Sequence, residues 1–307
     1  MSIKNRNCII CNINHYDEIF KFSNTFLDAF QNNSSRQLEL NNKYGPHIIV
    51  KCKNCGCKYV PNVIEDVSQN SNTINLFESK NRNIQIKEQN KEYYNREINK
   101  FKDPIYKLKL LKLISKKNFK DLSILDYGSG GGRVCKLSEL FGFNKIVAYD
   151  PVYNEGAKES FEIANFKKIN VINNIDKLSK HEKFDIIWCS SVIEHAFSPK
   201  DVFRDLKKLS NLNSVIFMGN PVMDIEKDLD DLLNLNKGKK NRHLHYHLGH
   251  INYMLGKDFN KLVKMYGFKI LPIYPLDTNF NIMNLIKKII VKIFPKITRS
   301  EYILKKT

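Results

Sequence analysis

Two cysteine pairs, Cys8-x-x-Cys11 and Cys52-x-x-Cys55, supply four thiolates at the spacing two knuckles use for one tetrahedral Zn²⁺. Gly56 suits the tight turn after the second pair. Four thiolates close a zinc site and leave no open position for chemistry, so its role would be structural. Cys57 is a spare thiol that could stand in for one ligand, and free buried cysteines are the alternative. A second set lies in Ile124-Leu125-Asp126-Tyr127-Gly128-Ser129-Gly130-Gly131-Gly132-Arg133, where an apolar strand ends in an acid and a glycine-dense turn feeds a helix. Such a turn lets backbone pass close to a ligand, and the amides of the helix start then face it. Gly128-x-Gly130-x-Gly132 is not the dinucleotide spacing, because Arg133 fills the sixth position counted from Gly128. Asp150 ends the next strand, where a carboxylate accepts bonds from both hydroxyls of a ribose. Asn173-Asn174-Ile175 follows one strand later, where a nucleobase edge would be read. A lone glycine turn is often only a strand–helix connection; with Asp150 added, the set reads as a nucleoside-cofactor site.

Acceptor chemistry belongs to the loops after the fourth and fifth strands, since ligands of open α/β sheets bind beyond the strands' carboxyl ends. Glu194 and His195 follow the fourth strand. A histidine's unperturbed pKa lies near neutrality, so His195 could take a proton from a hydroxyl or amine, or it can simply pack or cap its loop. After the fifth strand come Gly219-Asn220-Pro221, an acidic stretch at 224–231, and a basic segment at 237–250 holding His243, His245, His247 and His250. Two readings stand for that segment: a second metal site, or a lid in which one or two histidines, His245 among them, touch substrate with Tyr246. The lid is preferred. Tyr93 and Tyr94 are further candidates for walling the reacting groups.

Three zones of the chain must position these groups. Residues 1–65 carry five of the seven cysteines, 66–120 read as a polar helical linker or cap, and 121–307 alternate short apolar runs with amphipathic segments. That alternation is the mark of βαβ units around a parallel sheet, an α/β Rossmann-like fold with helices on both faces. Expected strands are Ser123–Asp126, Lys145–Asp150, Asn170–Asn173, Phe184–Cys189, Ser214–Met218, Phe268–Ile273 and Glu301–Leu304. Expected helices are Val134–Phe141, Glu155–Ala164, Pro199–Leu209 and Lys257–Tyr266, the first and last followed by Gly142 and Gly267 as caps. Residues 281–294 form an amphipathic basic stretch. It can lie on an anionic membrane surface, or pack on the sheet or in a dimer contact.

Composition sets the outer bounds. Over 307 residues, 42% hydrophobic and 27% charged side chains describe a globular chain rather than a disordered one. The net charge of +18 favours anionic partners, but its lysines are spread along the chain rather than gathered into a binding stripe. No run approaches the roughly 18 apolar residues of a membrane span. The start MSIKNRNC has no apolar signal core, so a cytoplasmic protein is expected. Seven cysteines in two CxxC pairs plus strays fit metal ligands in a reducing compartment better than a disulfide scaffold.

In order along the chain, Asp126-x-Gly128-x-Gly130-x-Gly132, Asp150, Phe184-Asp185-Ile186-Ile187, Val192-Ile193-Glu194-His195 and Tyr266-Gly267-Phe268 resemble class I S-adenosylmethionine (SAM)-dependent methyltransferases over residues 120–307. The resemblance implies a seven-stranded sheet with SAM as methyl donor. It places Gly128 and Gly130 against the methionine part, with Asp126 and Gly132 in the same cofactor site, Asp150 on the ribose, Asn174 and Ile175 near the adenine, and Cys189-Ser190 at the methyl-facing strand end. Tyr127 and Asn174 depart from the usual pattern, which has a small or aliphatic residue and an Asp there. The cysteine segment resembles the N-terminal zinc-binding segment of some bacterial methyltransferases that act on sugars and surface-polysaccharide precursors. The resemblance therefore implies a small saccharide acceptor, with an RNA methyltransferase as the runner-up and a non-catalytic SAM-fold binding protein as a third reading.

Overall fold

The chain crosses one central sheet seven times, and the crossing order decides where a ligand can sit. The computed structural model describes residues 3–23, 42, 46–64, 83–153, 156–219, 225, 250–271 and 301–307. The N-terminal strands are β1 (Ile3–Asn5), β2 (Tyr16–Phe22), β3 (His47–Cys52), β4 (Lys58–Tyr59) and β5 (Asn62–Ile64). A helical stretch at 83–88 leads to α1 (Lys91–Arg96) and α2 (Lys102–Ser115). Then follow β6 (Ser123–Tyr127), α3 (Arg133–Leu140), β7 (Lys145–Tyr149), α4 (Gly156–Ile163), β8 (Ile169–Ile172), β9 (Ile186–Ser190), α5 (Pro199–Leu209) and β10 (Val215–Gly219). β11 (Asn252–Tyr253), α6 (Gly256–Met265), β12 (Phe268–Leu271) and β13 (Glu301–Lys306) complete the described elements.

The seven-stranded sheet runs β12-β13-β10-β9-β6-β7-β8, parallel throughout except for β13, which is antiparallel to both its neighbours. The α/β Rossmann-like fold is therefore present, and its strands and helices lie within two residues of the expected bounds at nearly every end. Near-continuous apolar runs are what a sheet covered on both faces requires. Leu125, Tyr127, Ile187 and Cys189 pack on the face covered by α5 and α6, while Ile124, Ile186 and Trp188 pack on the face covered by α2, α3 and α4. Local signals set the helix ends. Ser198 caps α5 by accepting from the Asp201 N–H, with Pro199 in the first turn, and Gly267 takes the left-handed conformation after α6.

The N-terminal part is less self-contained than its sequence reads. Its four-stranded antiparallel sheet has the order β11-β4-β3-β2, so its last strand comes from residues 252–253, far along the chain. Among the described residues, no helix is long and apolar enough to cross a membrane. His245, most of the His-rich segment and the amphipathic stretch at 281–294 lie outside the described residues.

Candidate functional site

β6 and β9 are neighbours, yet their chains leave toward opposite sides of the sheet, so a crevice opens between their carboxyl ends. A cavity of about 390 Å³ lies there, lined by Asp126, Gly128 and Ser129 from one side and by Trp188 and Ser190 from the other. That volume is within the range of small-molecule sites. Gln85 and Gln89 from the segment before α1, with Lys107 of α2 and Glu301 of β13, also line the cavity.

The glycine turn is shaped by what surrounds it. Gly128 has φ +81° and a Cβ there would lie 2.4 Å from Val192 Cγ2; Gly132 has φ +70° and its Cβ would lie 2.2 Å from Phe161. Only glycine satisfies both constraints. At Gly130 a Cβ would meet nothing within 4 Å, which leaves that stretch of backbone open toward a ligand. Lys136 holds the cover in place. It is fully buried among the rings of Tyr94, Phe161 and Phe166 and donates from Nζ to the Ile86 carbonyl at 3.1 Å. Burial pushes its ammonium down to about 7.

Two carboxylates stand at the strand ends. Asp126 is 3% exposed, and burial, with Asp150 adding to it, pushes its carboxyl up to about 8. A cationic ligand group beside Asp126 would favour its ionised form. Asp150 accepts from the Gly130 N–H at 2.8 Å and the Val152 N–H at 3.2 Å, so it organises the glycine turn. A carboxylate has about four acceptor positions, so those two bonds are compatible with a ribose. The Tyr153 hydroxyl lies over the same turn, donating to the Gly130 carbonyl at 2.7 Å.

Several expected residues carry structural contacts of their own, and Cys189 and Tyr94 do not line the cavity. Cys189 is buried on the face opposite Trp188 and Ser190, because side chains alternate along a strand; burial raises its thiol well above the usual range. Ser190, not Cys189, faces the cavity. Tyr94 does not wall the cavity either. Its ring is buried and stacked on Phe101 at 4.6 Å, and it reaches the site through Gln89 and Arg133. Asn174 uses its side chain to cap the short turn at 175–177, accepting from the Asp176 N–H at 2.9 Å, and Ile175 packs against the core. Tyr127 points away from the cavity and donates to Asp205 of α5 at 2.8 Å, which explains why a large residue is accepted there.

The cysteines meet. Sγ atoms of Cys8, Cys11, Cys52 and Cys55 lie within 4.8 Å of one another, with Cys8–Cys55 at 3.4 Å and Cys11–Cys52 at 3.5 Å. A tetrahedral ion with Zn–S bonds of about 2.3 Å separates its sulfurs by about 3.8 Å, so the donor set fits zinc. A hydrogen bond from Cys57 holds the Cys8 thiol down to about 4, whereas burial and the neighbouring Cys8 charge push Cys55 up. Several thiolates share this space only if a cation joins them.

A second gathering involves Glu194, His195 and His250, whose ligand atoms also lie within 4.8 Å of one another. His195 and His250 have ring centroids 4.6 Å apart. Glu194 is 2% exposed, and burial pushes its carboxyl up to about 8. The segment from His250 is clamped onto the loop after β9: Ile251 and Asn252 N–H both donate to the Glu194 carbonyl, and the Asn252 amide donates to the Ile193 and Ala196 carbonyls. Arg6, buried, ties this loop to the cysteines. It donates to the carbonyls of Val60, Phe197 and Ile251 and to Asn252 Oδ1. Sequence reasoning missed Arg6 altogether, since one basic residue in a lysine-rich chain carries no signal of burial.

A methyltransferase-domain family model matches residues 87–273. A ubiquinone biosynthesis O-methyltransferase of Rickettsia bellii is 31% identical over 90 residues, which cover 29% of this chain and 37% of that protein. The chain thus spans little more than a third of the length of the curated relatives it matches. Among solved structures, the plantazolicin methyltransferase BpumL, in complex with a desmethyl analogue and S-adenosylhomocysteine (SAH), aligns with TM-score 0.45 and 17% identity over 75% of this chain and 99% of its own. PKMT2 from Rickettsia typhi in complex with AdoHcy aligns with TM-score 0.41 and 16% identity over 64% and 52% of the two chains.

Proposed function

We propose that this chain, which belongs to the methyltransferase-domain family, takes its methyl group from SAM and methylates a small polar acceptor, a sugar or saccharide precursor. The observation that carries this reading is the cavity between β6 and β9. Glycine backbone forms its donor side, and Gln85, Gln89, Lys107, Ser190 and Glu301 give it hydrogen-bonding groups suited to a molecule with several hydroxyls.

In this reading Asp126, Gly128, Gly130 and Gly132 cradle the methionine part of the donor, Asp150 holds the ribose, and Asn174 and Ile175 border the adenine. SAM supplies an already activated methyl group, so the protein's main contribution is to position the acceptor oxygen and exclude water. The group formed by Glu194, His195 and His250 stands on the loop after β9, where the acceptor's proton would leave. His195 is the member of that group exposed enough to meet an acceptor. Cys8, Cys11, Cys52 and Cys55 hold one structural Zn²⁺, and reduced thiols of this kind belong in a cytoplasmic setting.

The test uses purified protein, methyl-labelled SAM and a cell extract divided into small-molecule, lipid-linked saccharide and RNA pools. Label in either saccharide-containing pool supports the reading. Label in RNA, toward which the net charge of +18 would steer the protein, replaces the saccharide with a nucleic acid. Failure to bind SAH would leave the chain a non-catalytic member of its family.

A further inference from the structure

We propose that Glu194, His195 and His250 form a divalent-cation site, separate from the four cysteines, and that the cation presents an open face to an oxygen of the acceptor. This deepens the methyltransferase reading and rests on it for the identity of the acceptor, but not for the binding of the metal.

Three observations carry the site. The three ligand atoms already lie within 4.8 Å of one another. Small side-chain rotations bring such a set to the roughly 3–3.5 Å that separates neighbouring ligands of a cation with bonds of about 2.1 Å. Second, Glu194 is buried, with one carboxylate oxygen bonded by the Ser191 side chain and the other, Oε2, without a hydrogen-bond partner among the described residues. A buried carboxylate oxygen left in this way is costly, and a cation at the focus of the three side chains would satisfy it. Third, the backbone is built to hold this geometry. Ser191 sits at φ +55°, a left-handed conformation that a serine rarely adopts, and the Glu194 carbonyl receives N–H bonds from the two residues after His250.

Two imidazoles and one carboxylate make an N/O set suited to zinc, manganese, iron or cobalt. Three protein ligands leave coordination positions open, in contrast to the closed four-thiolate site. Glu194 and His250 are buried and His195 is half-exposed, so the open positions face the side of His195. That side adjoins the donor. Val192, two residues before Glu194, is the side chain against which Gly128 packs, and Ser190 lines the cavity. A hydroxyl bound to a divalent cation there would release its proton to solvent water far more readily than a free one, and the resulting alkoxide would form the new C–O bond as the sulfur–methyl bond of SAM breaks and SAH leaves.

The experiment loads full-length protein with Zn²⁺, removes loosely bound ions, and measures metal content per chain. The same Zn²⁺-loaded protein is then titrated with Mn²⁺ and followed by electron paramagnetic resonance. The expected result is one divalent ion per chain beyond that held by thiolates, as a second zinc or as one tight Mn²⁺. Glu194→Gln and His250→Asn should each lose that ion alone, while Cys11→Ser loses the other. Thermal unfolding in the presence of SAH separates loss of a ligand from loss of the fold. A chain that holds only the thiolate-bound ion and no tight Mn²⁺, in a preparation that binds SAH, overturns the cation site and leaves the methyltransferase reading standing. Failure to bind SAH, with the second ion present, does the reverse.

Discussion

The donor end of the crevice and the cysteine–histidine end are built by opposite strategies. One stretch, Asp126–Arg133, makes most of the donor end, with Asp150 arriving from the adjacent strand to bond the same turn. The other end is assembled from residues 6–11, 52–60, 194–197 and 250–252, and its unity depends on Arg6 and on four thiols brought together from two distant pairs. Local geometry therefore governs the first, and long-range closure governs the second. Losing one distant partner should disable the second end while the first still binds its ligand.

The strongest way to sharpen that contrast is to strip metal from the cysteines with a chelator. We expect a loss of several kcal/mol of stability, concentrated in the sheet of β2, β3, β4 and β11, with SAH affinity reduced far less. Calorimetry together with SAH titration reads both, and an unchanged melting curve would sink the zinc assignment. Next in size, Arg6→Met removes the donor to three carbonyls and Asn252 Oδ1, and should cost about 3–5 kcal/mol in chemical denaturation. A cost under about 1 kcal/mol would show that the two regions are not joined through this side chain.

At the donor end, the glycines offer a graded test. Gly132→Ala combines a left-handed φ with a Cβ driven into Phe161, and should cost about 2–4 kcal/mol and most SAH binding. Gly130→Ala, with open space around its Cβ, should cost only about 1–2 kcal/mol. Equal stability costs in chemical denaturation without ligand would contradict the packing described.

pH gives a smaller effect with a definite sign. The Asp126 carboxyl is raised from its ordinary value to about 8 in the folded, ligand-free protein, so the folded state holds a proton that the unfolded state has released between about pH 4 and 8. Its contribution to stability is complete below pH 4 and is lost as pH rises toward 8. Asp126→Asn should flatten that part of the profile by an amount on the order of a few kcal/mol, seen in melting temperatures recorded across the range. The smallest effect is that of Tyr127→Phe, which removes the bond to Asp205 and should cost about 1 kcal/mol without changing SAH affinity.

What the sequence showed and what it concealed follow the same division. Strand ends, the glycine turn and the caps at Ser198 and Gly267 are local events, so spacing and residue type reveal them. The two CxxC pairs were legible because thiols at that spacing have few other uses. Family position names the strand end at Cys189-Ser190 without its face, and alternation along β9 turns only Ser190 to the cavity. Tyr94 was misread because an aromatic residue near a site signals core as readily as contact. Glu194 and His250 were each visible in the sequence, but their meeting depends on a fold-back across more than fifty residues that no local pattern encodes.

The pairing of β11 with β4 also puts the chain on a timetable. During synthesis the cysteine-bearing strands leave the ribosome first, but the strand that closes their sheet is not made until Tyr253. At about 5–20 residues per second the early strands wait roughly ten to forty seconds with one edge unpaired. A nascent chain arrested before residue 250 should be cut by protease within β3 and β4, and one arrested well past it should resist. For that interval the four thiols, by capturing their ion, would be the main hold on the N-terminal strands, so metal supply would set how safely this protein is made as well as how firmly it stands.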